Sequence, residues 1–109
     1  MALYSKMTEA WENHDVEAYW ACFHPDSEMT WHSNGKVTNL SSMSAEQMKA
    51  IMENADIKNR RRIYENDDIL VQHLRADYPN GTKDATLHVS LKKDGLLYRS
   101  ETGVTSVRV

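Results

Sequence analysis

The second half of the chain constrains the fold most, because the hydrophobic period changes to two near residue 59 and stays there. Residues 60–65, 69–78, 83–92 and 96–108 follow the alternation of half-buried strands. Short runs of turn-forming residues separate them, so consecutive strands are expected to be antiparallel. This half therefore predicts four sequential strands of one sheet.

The first half is typical of helices. Apolar residues recur at helical spacing in three segments, and two of these begin with a capping signal. Asp15 is a good N-cap for the second helix, and Ser44 with Gln47 forms a capping box for the third. We expect the His-Pro pair at 24–25 to end the second helix, because the residue before proline avoids the α region.

A short hairpin is predicted between the second and third helices, with strands at residues 28–32 and 37–40 joined by a Ser-Asn-Gly turn. The order is then helix, helix, strand, strand, helix and four strands, which predicts an α+β domain. The length of 109 residues suits one domain, so we expect residues 1–109 to form a single domain.

Composition excludes some classes of function. The formal charge of -3 gives no electrostatic support for nucleic-acid binding. Cys22 is the only cysteine, so no internal disulfide or zinc ribbon can form, and a reducing compartment is expected. The first residues lack the apolar stretch of a signal peptide, and no segment is apolar enough to span a membrane. We expect a cytoplasmic protein with neither nucleic-acid nor membrane partners.

Three segments resemble the SnoaL-like branch of the nuclear-transport-factor-two-like superfamily. Residues 11–18 match its W-x-N-x-D-x-x-A helix junction, residues 23–26 resemble its F-x-x-D exit into the first strand, and residues 93–101 resemble its final hairpin. The resemblance implies a curved mixed or antiparallel sheet of about six strands, wrapped around three helices as a cone-shaped, cystatin-like roll. It also implies a pocket between sheet and helices and a homodimer through the outer sheet face.

The resemblance also places the strand faces. Residues alternate between an inner set and an outer set. The inner set is Gln72, Leu74, Ala76, Thr86, His88, Ser90, Ser100, Thr102 and Val104. The outer set is Ile69, Val71, Leu87, Val89 and Leu91. A polar inner face suits a pocket for a polar ligand, and an apolar outer face suits an interface. The opposite register, with the outer set in the core and His88 in solvent, stays open, because a one-residue slip exchanges the faces.

His88 is the candidate for acid–base catalysis, because imidazole titrates near neutrality; a structural histidine is the alternative. The candidate ligand-binding residues are Tyr19, Trp31, Gln72, Tyr98 and Thr102. Placing the catalytic tyrosine and two aspartates of ketosteroid isomerases on this chain puts them near Met7, Trp31 and His88, and none of these types matches. No histidine spacing suits a metal, so neither a metal nor a cofactor is expected.

Residues 58–62 form a basic run. We interpret it as an edge strand that its charges protect from aggregation. Arg60 and Arg62 share one face of an extended strand, so one of them could reach a ligand carboxylate.

The function expected is small-molecule binding in the pocket, with an isomerase, cyclase or dehydratase type of reaction as an extension and the ligand unknown. The alternative is a non-catalytic dimerisation or protein-interaction module. A cavity that contains His88 beside Tyr19 or Tyr98 would favour chemistry, whereas a cavity filled by Trp11 and Trp31 would favour the module.

Overall fold

A computed structural model describes residues 2–39 and 42–107, which form three helices and six strands. The helices are α1 (Leu3–Glu12), α2 (Val16–Trp20) and α3 (Ala45–Asn54). The strands are β1 (Phe23–Trp31), β2 (Val37–Thr38), β3 (Asp56–Glu65), β4 (Ile69–Asp77), β5 (Lys83–Lys93) and β6 (Leu96–Ser106). The predicted α+β class is confirmed. Leu40 and Arg108, at the ends of two predicted strands, lie outside the described residues.

Both predicted helix caps are present. The Asp15 carboxylate accepts a hydrogen bond from the backbone N–H of Ala18 at 3.1 Å and so begins α2. Ser44 and Gln47 form the capping box of α3, with each side chain accepting from the other residue's backbone N–H. The chain therefore specifies two of its three helix starts through short polar side chains.

The predicted start of the first strand is wrong. Helix α2 already ends at Trp20, and β1 begins at Phe23, so the His24-Pro25 pair lies inside the strand and not in a loop. A proline is tolerated there because the pairing of β1 with β6 is irregular between Phe23 and Glu28. Strand β3 likewise begins at Asp56, four residues before the predicted start, directly after α3 ends.

The strands form one mixed sheet in the order β2-β1-β6-β5-β4-β3. Strands β3 to β6 pair antiparallel with their chain neighbours, whereas β1 runs parallel to β6. The predicted mixed sheet of six strands is thus confirmed, and β3, which carries the basic run, is an edge strand as predicted.

The register follows the predicted inner set, and the opposite register is wrong. Along β4 the residues alternate without a break between buried and half-buried, with Leu70, Gln72, Leu74 and Ala76 on the buried face. On the other face of the sheet, Leu87 and Leu91 remain 43% and 52% exposed. Helices therefore cover only the inner face of the described sheet.

Two apolar clusters join the helices to each other and to the sheet. The first joins α1 to β4 and β6 through Leu3, Met7, Cys22, Leu70 and Leu97. The second joins α2 to α3 and consists of Val16, Met48 and Met52. Among the described residues, the helices are too short and too polar to cross a membrane.

Candidate functional site

A cavity of about 640 Å³ lies between the helices and the inner face of the sheet. Its aromatic and methionine wall consists of Met7, Trp11, Tyr19, Trp20, Phe23, Met29, Trp31, Met43 and Met48. Its polar wall comes mostly from the sheet and includes Arg60, Gln72, Thr86, His88 and Ser100. A cavity with a large apolar surface and a few convergent polar groups is typical of small-molecule sites.

Four of the residues predicted as site residues occupy one cross-strand row. Gln72 on β4 pairs with His88 on β5, His88 pairs with Thr102 on β6, and Thr102 pairs with Trp31 on β1. Residues directly opposite each other on neighbouring strands have adjacent side chains. The fold therefore brings together residues that lie up to 71 positions apart in the chain, from Trp31 to Thr102.

His88 lies at the centre of this row, and Thr102 holds its imidazole. His88 Nδ1 and Thr102 Oγ1 are 2.8 Å apart. Burial, together with the smaller effect of the positive charge of Arg60, lowers the pKa of His88 to about 4. The imidazole is therefore neutral at pH 7, and Nε2 is the ring nitrogen that remains for a ligand.

Two predicted ligand-binding residues do not line the cavity. Thr102 is only 1% exposed and lies behind His88, so it positions the imidazole and does not face the cavity. Tyr98 lies outside the cavity, with its ring packed against His24 and the Arg99 guanidinium. The reason is a bulge: Leu97 and Arg99 pair with consecutive residues of β5, and Tyr98 between them has no partner.

Tyr19 reaches the cavity from α2, as predicted. Its ring contacts Trp11 and Phe23 at centroid distances of 5.4 and 5.3 Å. Burial raises the pKa of Tyr19 to about 12, an effect that Arg60 reduces and Cys22 increases. The phenol therefore stays protonated at neutral pH. Trp11 and Trp31 line the cavity without filling it.

Gln72 carries an orphan acceptor. The side chain is on the buried face of β4, only 3% exposed, and within the part of the chain that the structure describes Oε1 has no hydrogen-bond partner. A buried polar atom without a partner costs about 1–3 kcal/mol. Because Gln72 lines the cavity, a ligand hydroxyl or N–H is the group that would satisfy it.

Sequence reasoning identified Arg60 only as one of two arginines that could reach a ligand carboxylate, and it did not include Arg60 among the candidate site residues. Strand β3 places two residues, Asn59 and Arg60, opposite the single residue Leu74, and Asn59 adopts a positive φ of 53°. This bulge re-aims the strand, so that Arg60 lines the cavity. Strict alternation from Ile57 would have placed Asn59 there instead. The sequence signal is the basic run, which predicts an edge strand and places Arg60 and Arg62 on one face without showing which of them enters the cavity.

The carboxylates that line the cavity have protein partners. The Glu28 carboxylate is 3.6 Å from Arg99 Nε, and Asp84 interacts with Tyr78, where burial first and then the nearby Asp84 carboxylate raise the pKa of the phenol. Neither belongs to the row around His88. Among residues 2–39 and 42–107, no group of three His, Cys, Asp or Glu side chains could hold a metal ion.

A second depression, of about 480 Å³, lies where the α1–α2 junction meets the start of α3. Its polar lining residues, which include His14, Asp15 and Lys49, are all exposed. Asp15 is already used as the helix cap. This surface has none of the buried, convergent polar groups of the larger cavity.

No protein-family model matches the chain, and no curated protein matches it. Solved structures do match. An NTF2-like protein of unknown function from Burkholderia xenovorans is 13% identical, with a TM-score of 0.73 over 98% of this chain and 83% of that chain. One from Cytophaga hutchinsonii is 15% identical, with a TM-score of 0.70 over 94% and 96% of the two chains.

A proposed ketosteroid isomerase from Kribbella flavida is 9% identical, with a TM-score of 0.72 over 98% of this chain and 78% of that chain. Identities this low establish architecture and not activity. The SnoaL-like branch indicated by the three sequence segments stays a prediction. The six-stranded mixed sheet, the three helices and these matches together show that the chain has the NTF2-like fold, the fold of the nuclear-transport-factor-two-like superfamily.

Proposed function

We propose that this protein binds a small, largely apolar molecule in the cavity between the helices and the sheet. The observation that carries the proposal is the cavity of about 640 Å³, whose aromatic and methionine wall faces the row of Gln72 and His88. Flexible methionines and flat rings suit an aromatic or alicyclic ligand. The polar row would orient it through hydrogen bonds.

His88 and Tyr19 both line the cavity, as a catalytic site would require, but the protonation state of His88 favours binding over catalysis. Because its pKa is lowered to about 4, protonating this imidazole at pH 7 costs about 4 kcal/mol. His88 is thus a better hydrogen-bond partner than general base. An isomerase, cyclase or dehydratase type of reaction would need a carboxylate near the row, and neither of the two cavity-lining carboxylates, Glu28 and Asp84, belongs to that row.

A thermal-shift screen tests the proposal. Purified protein would be screened against aromatic, steroid-like and polyketide-like compounds, including neutral ones. A ligand at about a hundred times its dissociation constant stabilises the folded state by about 2.7 kcal/mol, which raises the melting temperature measurably. His88→Ala should weaken the shift, and Ala76→Phe, which places a ring in the cavity wall, should abolish it. A hit that Ala76→Phe leaves unchanged, or a broad screen without hits, would refute the proposal in favour of the protein-interaction module.

We also propose a homodimer through the outer face of the sheet. The outer apolar patch, defined as Ile69, Val71, Leu87, Val89 and Leu91, forms two adjacent columns on β4 and β5, with Ile69 opposite Leu91 and Val71 opposite Val89. An exposed contiguous apolar patch favours association. A second copy of this chain presents the same patch, which suits a two-fold interface. A cytoplasmic setting is part of the proposal, because the single buried thiol of Cys22 needs no oxidising compartment.

A further inference from the structure

Arg60 is a cation in the cavity wall, and within residues 2–39 and 42–107 no carboxylate lies within ion-pair distance of it. The ion pairs formed by the lysines and arginines of the described residues use Lys58, Arg62, Lys92 and Arg99, and none uses Arg60. Its guanidinium carbon lies over the ring of Trp11, 5.6 Å from the centroid. A ring face stabilises a cation weakly and leaves the N–H donors in the plane of the guanidinium free.

The guanidinium of Arg60 lies between the helices and the sheet. Trp11 and Tyr19 lie on the helical side of the cavity, and the charge of Arg60 acts on Tyr19 and also on His88 of the sheet. Burial lowers the pKa of Arg60 itself, and the nearby Tyr19, Tyr4 and Glu12 offset this only in part. Because arginine stays charged in proteins, the lowered pKa records a charge that is incompletely solvated.

Two polar groups that require different ligand atoms, one an acceptor and the other a donor, thus line the same cavity. Arg60 offers several donors and a positive charge, and the buried Oε1 of Gln72 requires a donor. The remaining cation of the lining is Lys36, which is exposed, and both lining carboxylates have partners. An apolar wall that ends in one desolvated arginine complements an amphipathic acid.

We propose that the ligand is an apolar acid, whose carboxylate or sulfonate binds the Arg60 guanidinium while its ring system packs against the aromatic and methionine wall. A hydroxyl or N–H on the ring system would donate to Gln72 Oε1. The proposal rests on the proposed function and adds the chemical class of the ligand. It assigns to Arg60 the recognition of charge, and to His88 and Gln72 the recognition of neutral polar groups.

Two fluorescent dyes with the same ring skeleton test it. 1-Anilinonaphthalene-8-sulfonate carries a sulfonate, whereas N-phenyl-1-naphthylamine lacks it, and both brighten in apolar sites. The wild type should bind the sulfonate dye more tightly than the neutral dye. Arg60→Met should weaken binding of the sulfonate dye by about tenfold or more and leave the affinity for the neutral dye unchanged. Arg60→Lys, which keeps the charge but not the fork of donors, should fall between.

Three control variants test whether the preference for the sulfonate dye depends on Arg60 and not on another part of the surface. Arg61→Met removes the neighbouring exposed cation, Lys36→Met removes the other cation of the cavity lining, and Leu87→Asp alters the outer apolar patch. All three should retain the preference for the sulfonate dye, and circular dichroism checks that Arg60→Met remains folded.

The outcomes separate the two proposals. If Arg60→Met weakens both dyes equally, or if Lys36→Met alone removes the preference, the assignment of Arg60 is wrong while cavity binding stands. If Leu87→Asp removes binding of both dyes, they occupy the outer face and the assignment is also wrong. If neither dye binds the wild type, cavity binding and the acid ligand fall together.

Discussion

The two faces of the sheet differ in a way that reverses the usual expectation for a globular protein. On the inner face, polar side chains are buried: Gln72, Thr86, Ser90, Ser100 and Thr102 are each at most 7% exposed. On the outer face, apolar side chains are exposed, with Leu87 and Leu91 at 43% and 52%. Polar groups are normally outside and large apolar groups inside, so both faces require a functional explanation.

The comparison indicates where each face obtains its stability. Some inner polar groups satisfy each other, as in the hydrogen bond of 2.8 Å between the hydroxyls of Ser90 and Ser100. Others, such as Gln72 Oε1, have no described partner and so favour a ligand. The outer face has apolar area that a single subunit leaves in water. The inner face is therefore suited to a small molecule and the outer face to another protein surface.

The largest expected effect concerns the outer face. Val89→Asp should convert the proposed dimer into a monomer of 12.6 kDa, because it places a charge in the middle of the outer apolar patch. Analytical ultracentrifugation measures the mass. Val37→Asp is the matched control, since Val37 is exposed and apolar but lies on β2 at the opposite edge. A Val89→Asp protein that remains a soluble dimer contradicts the interface.

Leucines on the two faces should differ in their contribution to stability. Leu70 is 0% exposed in the first apolar cluster, so Leu70→Ala should lower the free energy of unfolding by about 3 kcal/mol. Leu91→Ala on the outer face should lower it by less than about 1 kcal/mol in dilute protein. Urea denaturation measures both. Equal losses in dilute protein would show that the outer face is already covered within one subunit.

His88 of the inner face should make the stability of the protein depend on pH. The folded pKa of His88 is about 4 against 6.5 when unfolded, so protons bind the unfolded chain preferentially between these values. Stability should therefore be fully present above pH 6.5 and fall by up to about 3 kcal/mol as the pH drops to about 4. His88→Gln should reduce this loss of stability between pH 6.5 and 4, whereas His73→Gln on the outer face should retain the loss. Identical wild-type and His88→Gln profiles would contradict the burial of this imidazole.

The smallest expected effect separates partnered from unpartnered groups on the inner face. Gln72→Met should raise the free energy of unfolding by about 1 kcal/mol, because it removes a buried acceptor without a partner. Ser100→Ala should lower the free energy of unfolding by about 1 kcal/mol, because the Ser90 hydroxyl loses its hydrogen-bond partner. Thermal denaturation without ligand measures both. A loss of stability in Gln72→Met would mean that the amide is satisfied in the free protein.

Much of the site was predictable because its row lies on regular strands. His88, Gln72 and Thr102 follow from alternation once the register is chosen, and the buried face of β4 has no irregularity. Two of the errors fall where this regularity ends. Tyr98 was misplaced because a bulge in β6 removes it from the alternation, and Arg60 was undervalued because a bulge at Asn59 turns it inward. A bulge changes side-chain direction by one residue, and pattern counting cannot locate it.

The sequence by itself determined the α+β class, the caps at Asp15 and Ser44, and the alternation along regular strands such as β4, because these depend on near neighbours in the chain. Only the tertiary structure decided that β1 lies parallel to β6 and that Thr102 holds His88. It also decided that Arg60 lines a cavity formed by residues of both the helices and the sheet. These depend on pairings between distant segments, whose geometry is set by packing and by bulges and not by local residue preference.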